Sequence, residues 1–174
     1  VLSRETGYMR SYGQNPYPGY DDIDRPPFLY DGPTTPDTLP AVARILAVEI
    51  GSETVAYPYE VLSEVKAVND QVGGEEIVVF WTPGTASALD ERDIADGDDV
   101  GSAVAFSRIV GDRVLTFRSE GENFVDNETG STWNIQGTAI SGTLAGEHLE
   151  EIVGVNHFWF SWAAFKPETR IYQP

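Results

Sequence analysis

From Arg44 onward, short runs of apolar and β-branched residues are broken at close intervals by Gly, Asp and Ser, which is the pattern of a β-rich fold. "RILAVEI" and "ETVAYP" flank Gly51-Ser52, and "SAVAFSRIV" and "RVLTFRS" flank Gly111-Asp112; each pair reads as a hairpin closed by a two-residue turn. "EEIVVFWT" is a continuous apolar run of strand length, which suits a central strand covered on both faces. Between the hairpins, "PYEVLSEVKAV" places Val61, Leu62 and Val65 at helical spacing behind Pro58, which is suited to a first turn, and predicts a short helix near residues 58–67. "HFWFSWAAF" carries Phe158, Trp162 and Phe165 on one helical face, with Trp159 needing a wider one. A second short helix near 158–166, packed into the core, is expected there. No internal repeat or interior linker interrupts the pattern.

Residues 1–40 follow neither period. Seven of the eleven prolines lie there with five tyrosines, a density that blocks helix and interior strand alike. The segment is too aromatic for an ordinary disordered tail, because Tyr and Phe rings gain by burial. The expectation is an extended arm over residues 1–40 lying across a single mostly β (α+β) domain over residues 41–174. The arm's first role is to cover apolar surface.

Charge and composition then remove whole classes of function. At 174 residues with a net charge of −17, the chain lacks the cationic surface that nucleic acid or anionic lipid requires. It has no cysteine, hence no disulfide, zinc-thiolate site or thiol nucleophile. No window is apolar for long enough to span a bilayer. Because the sequence opens on Val1, it is read as a processed or trimmed form, with an export signal or lipid anchor expected ahead of it. The run "DERDIADGDD" over residues 90–99 departs from the EF-hand spacing; it reads as a solvated loop, with calcium as the lesser alternative. His148 and His157 form no metal-binding pair, so no metal and no cofactor are assigned. The hydrolase, nucleotide and dinucleotide motifs GxSxG, GxxxxGK[ST] and GxGxxG are absent. "NET" at Asn127–Thr129 matches a glycosylation sequon, a pattern frequent by chance.

The segment "FVDNETGSTWNIQGTAISGTLAGEHL" mixes acids, hydroxyls, close glycines and one tryptophan. Its polar residues either hydrogen-bond the backbone of tight turns or line a small concave site beneath Trp133, and spacing favours the turns.

Five elements, "YPYEVLSEVKAVNDQVGGEEIVVFW", "GSAVAFSR", "LTF", "DNETGSTWNIQGTAISGTLAGEHL" and "FWFSWAAFKPETRIY", resemble in order and spacing the domain-of-unknown-function family 3179 between about Val42 and Tyr172. The resemblance implies bacterial or archaeal proteins, often exported or lipid-anchored, and no stated activity. It also implies that the segment between Trp81 and Gly101 is a variable insertion. Many relatives carry a Cys-Pro pair after the apolar strand; Thr82 stands there in "FWTPG", so thiol chemistry does not carry over. The positions matching the motif are Tyr57, Asn69, Asp70, Arg108, Asp126, Thr129, Ser131 and Trp133, taken as candidate ligand-binding residues. Trp133 is expected to be buried, and Arg108 to be ion-paired with Asp126 or Asp70.

The leading expectation is an exported or cell-surface domain that binds a protein partner or small ligand and performs no chemistry. One alternative is a hydrolase-type enzyme with Asp126 or Asp70 as general base. The other is a structural subunit of an extracellular assembly.

Overall fold

The computed structural model describes Glu5, residues 7–9 and residues 11–174. Fourteen strands and two short helices follow one another in the described residues, so the fold is mostly β. The first hairpin joins β1 (Arg44–Ile50) to β2 (Glu53–Pro58) through Gly51-Ser52, with Ile50 opposite Glu53. Pro58 closes β2 and stands one residue ahead of helix α1 (Tyr59–Val65), whose buried residue is Leu62. Lys66 ends α1 in the left-handed region, and the chain turns into β3 (Ala67–Val72).

Strand β4 (Glu75–Thr82) is the expected central strand, paired antiparallel with β3 on one side and β5 (Ser102–Ser107) on the other. The second hairpin is smaller than expected. Only β6 (Ile109–Val110) and β7 (Arg113–Val114) pair across Gly111-Asp112. The preceding apolar run leaves that ladder at Arg108 because β5 takes β4 as its partner. After the hairpin come β8 (Phe117–Glu120), β9 (Asn123–Asp126), β10 (Thr132–Trp133) and β11 (Ala139–Ser141). Strands β12 (Glu151–Ile152) and β13 (Gly154–Phe158), helix α2 (Trp159–Ala163) and β14 (Arg170–Ile171) complete the chain.

Three four-stranded sheets result, in the orders β13-β1-β2-β14, β12-β5-β4-β3 and β11-β10-β9-β8. Period-two alternation along β4 sends Ile77, Val79 and Trp81 into a core shared with the β1–β2 sheet, and Val78 and Phe80 into a second core with Phe117, Phe124 and Trp133. The β12-β5-β4-β3 sheet is therefore the middle layer. A third cluster, built on Ile45, Ala47, Ala56 and Trp159, seats α2 on the outer face of the first sheet. The face expected for α2 is corrected: Trp159, Phe160 and Ala163 are its buried residues, Phe158 ends β13, and Phe165 is exposed.

Residues 11–40 run as turns, with one isolated bridge from Gln14 to Asp93. The Trp159 indole donates to Pro36 O at 3.0 Å, and Tyr20 and Tyr30 pack against Phe158 and Phe160. Backbone bonds from Asn15, Gly19 and Tyr20 to Arg92, Asp90 and Leu89 tie this segment to the acidic run.

Candidate functional site

The motif residues fall into separate groups. The first is local. Strand β9 ends at Asp126, and the turn to β10 brings back Thr129, Ser131 and Trp133 around its carboxylate. Oδ1 accepts from the Thr129 N–H at 2.6 Å, and Oδ2 from the Thr129 hydroxyl at 2.9 Å, the Ser131 N–H at 3.1 Å and the Trp133 indole at 2.9 Å. Asp126, Ser131 and Trp133 are buried. Gly142 closes over Ser131: a Cβ there would stand 2.6 Å from the Ser131 Oγ, so the close approach excludes any side chain. Burial pushes the Asp126 carboxyl upward. The bonds from Trp133 and Thr129 and the two N–H groups outweigh it, and the net pKa lies below the ordinary carboxylate value. A carboxylate held this way makes a poor proton acceptor, and the turn reading of this segment describes its geometry.

Asn69 forms the second group. Its amide donates to Phe117 O and accepts from the Phe117 N–H, both at 2.8 Å, a side-chain imitation of strand pairing that fastens β3 to β8. The third group lies at the edge of the first core. The Tyr57 hydroxyl donates to Asp70 Oδ2 at 2.7 Å, and Arg170 on β14 donates to the same oxygen at 2.9 Å. Desolvation, then the hydrogen bond and charge of Asp70, raise the Tyr57 pKa far above a free tyrosine's.

Arg108 joins none of these groups. Its carboxylate is Glu76 rather than Asp126 or Asp70, Nη1 donates to Leu115 O at 3.1 Å, and Nε has no hydrogen-bond partner among the described residues. The β4–β5 register dictates this: Ile77 lies opposite Ser107, so the residue beyond each, Glu76 and Arg108, meet at the end of the ladder. The motif therefore supplies four separate sets of contacts and, among the described residues, no shared cavity.

The concave surface is elsewhere. A cleft of about 510 Å³ lies between the N-terminal segment, the start of β1, α1 and the acidic run. Its walls include Leu39, Pro40, Val42, Tyr59 and Trp81, and its carboxylates are Asp21, Asp22, Glu60, Asp90, Asp98 and Asp99. Arg44 is the one guanidinium, and it is already engaged: Nη2 donates to Asp21 at 2.6 Å and to the Ser87 hydroxyl at 2.9 Å, while the group lies over the Phe158 ring. A second cleft of about 480 Å³, lined with hydroxyl and amide groups, shares Arg44, Tyr59 and Val100 with it.

The acidic run is an exposed loop, with Glu91, Asp93, Asp96, Asp98 and Asp99 at the surface, and two of its carboxylates accept backbone N–H groups. Asp99 accepts from the N–H groups of Gly84, Thr85 and Gly101, which hold its carboxyl below the ordinary range. Asp90 accepts from Glu91 and Asp98. Among the described residues, no group of three His, Cys, Asp or Glu side chains is placed to hold a metal ion. No described helix is long and apolar enough to cross a membrane.

The family model described as "Protein of unknown function (DUF3179)" matches residues 1–169. The chain belongs to this family. The match includes the N-terminal forty residues, which lay outside the span of the sequence resemblance, and it includes the acidic run between them and β5. Membership in DUF3179 thus covers every wall of the cleft. No curated protein and no solved structure matches the chain.

The cleft residues carried little signal in the sequence. Arg44, Tyr59, Glu60 and Trp81 read as ordinary strand and helix positions, and Asp98 and Asp99 as solvated charge. The one available signal was the aromatic content of the N-terminal segment, which marked it as docked.

Proposed function

We propose that this protein is a binding domain, exported or displayed at the cell surface, that holds a small ligand in the 510 Å³ cleft and performs no chemistry on it. The cleft carries the reading. Its volume falls within the range of roughly 300–1,000 Å³ typical of small-molecule sites, and it combines apolar walls with a few convergent polar groups. The candidate bases support it from the other side, because Asp126 is saturated with donors and Asp70 is engaged by Tyr57 and Arg170.

A thermal-shift screen of small molecules tests the proposal, since a ligand at about 100 times its Kd adds roughly 2.7 kcal/mol to stability. Hits should vanish in Ser63→Trp, which fills the cleft from the exposed face of α1. Turnover of a simple ester, glycoside or phosphate, lost in Asp126→Asn, would replace this reading with the hydrolase. Surface display is tested by proteolysis of the native protein on intact cells.

A structural-subunit reading has one observation in its favour: Tyr17, Phe28 and Leu29 are exposed on the N-terminal segment, Leu29 at 89%. Light scattering that shows a monomer, unchanged by loss of residues 1–40, removes it.

A further inference from the structure

We infer that the second cleft, of about 480 Å³, receives an uncharged, extended peptide segment of a partner protein, which adds to the fold there as a β-strand. Occupancy of the first cleft is not required. Unpaired backbone points to a strand. β13 is the last strand of its sheet, and the Trp159 N–H donates to Ala43 O, which sets the phase of its ladder with β1. Val155 and His157 therefore bond β1, while Gly154 and Asn156 turn their N–H and C=O groups outward. No backbone bond among the described residues reaches Asn156 from that side. The other sheet edges are short or closed: β12 and β14 have two residues each, Asn69 fastens β3 to β8, and Gly146 and Glu147 bond back to Ala139 on β11. An open edge is a template for another chain, and β13 keeps one.

A second segment bordering the same cleft has the same property. Ser87 N–H donates to Asp98 O, and Val100 N–H donates to Thr85 O. Ala86, between them, faces Asp99 without bonding it and directs its own N–H and C=O to the opposite side. Those groups make no hydrogen bond among the described residues. Asn156 and Ala86 both line the cleft and both are exposed, so an incoming strand finds free donors and acceptors from two segments.

The walls set the chemistry of the segment. In a chain of net charge −17, this cleft is lined by no carboxylate and no lysine, and its guanidinium, Arg44, is paired with Asp21. A charged side chain would lose water there and find no free counter-charge. Hydroxyls line it instead, among them Ser161 and the Thr85–Ser102 pair at 2.6 Å. They match small hydroxyl side chains on the incoming strand.

The test titrates a blocked peptide of alternating threonine and serine, five residues long, into the full chain and follows amide exchange by NMR. Binding should slow exchange at Asn156 and Ala86. Asn156→Pro deletes an edge-facing N–H that makes no ladder bond, so the fold should survive while binding weakens roughly threefold to tenfold relative to Asn156→Ala. Both variants lose the Tyr59 bond to the side-chain amide, so the difference between them reads the backbone alone. Of the two alternately N-methylated forms of the peptide, at least one should lose binding to the unaltered protein, a readout that holds even where Asn156→Pro fails to fold. Equal binding by Asn156→Pro and Asn156→Ala, or by both methylated forms and the parent peptide, overturns strand addition. So does absence of protection at Asn156 and Ala86. Peptides with aspartate or lysine in place of threonine should bind more weakly; if either binds as well, the uncharged assignment falls. Maltotriose binding in the cleft more tightly than the peptide would assign it to a saccharide instead.

Discussion

Replacing Trp133 with alanine removes a fully buried indole that packs edge-on against Phe117 and donates to Asp126. The expected loss is about 3–5 kcal/mol, read as a shift in urea-unfolding midpoint at constant slope. Asp126 itself predicts a pH dependence. Its folded pKa lies below that of the unfolded chain, so its contribution is fully present above the unfolded value of about 4 and is lost as pH falls through the folded value. Unfolding free energies measured from neutral pH down to about pH 2 should therefore fall more steeply in the native protein than in Asp126→Asn. At this scale the sequence was informative about Trp133 and Asp126, because their partners lie within seven residues. It was silent about Glu76 and Arg108, whose meeting depends on which strands pair.

Strand β14 shows what a two-residue element can hold. It runs parallel to β2, and Arg170 reaches across to the same Asp70 oxygen that receives the Tyr57 hydroxyl. The raised pKa of Tyr57 means that this junction is intact below the unfolded tyrosine value of about 10 and weakens as pH rises beyond it. Tyr57→Phe should lower stability at neutral pH and flatten the alkaline limb, as measured by urea unfolding between about pH 8 and pH 11. Elements closed by turn dipeptides, such as β1–β2, were legible because the turn chemistry is local. The second hairpin was overextended because "SAVAFSRIV" reads as one strand until β4 competes for its first six residues. Trp159 was under-weighted in α2 because only the assembled first sheet shows which helical face is covered.

For the whole molecule, the N-terminal segment is part of the fold and of the cleft. It covers Phe158 and Phe160 with tyrosine rings, accepts the Trp159 indole bond, and supplies Asp21, Asp22, Leu39 and Pro40 to the cavity. Removing residues 1–40 should lower the melting temperature by roughly 4–8 °C, the equivalent of about 2 kcal/mol at this size, while far-UV circular dichroism stays β-rich. The cleft was invisible in the sequence for a physical reason: its walls come from five stretches spread over some eighty positions, and nothing local joins them.

Strand β4 belongs to two cores at once, so no part of the molecule can open around it without disturbing both. A strand with a single buried face can fray as its layer loosens, but Val78, Val79 and Phe80 have no loose side. Their amide hydrogens should exchange with deuterium only through complete unfolding, at the slowest rate in the chain and with the same denaturant dependence as global stability. The edge amides of β13 and β8 should be released far earlier. The middle strand then serves as an internal gauge: one exchange measurement at Val79 reports the stability of both cores together.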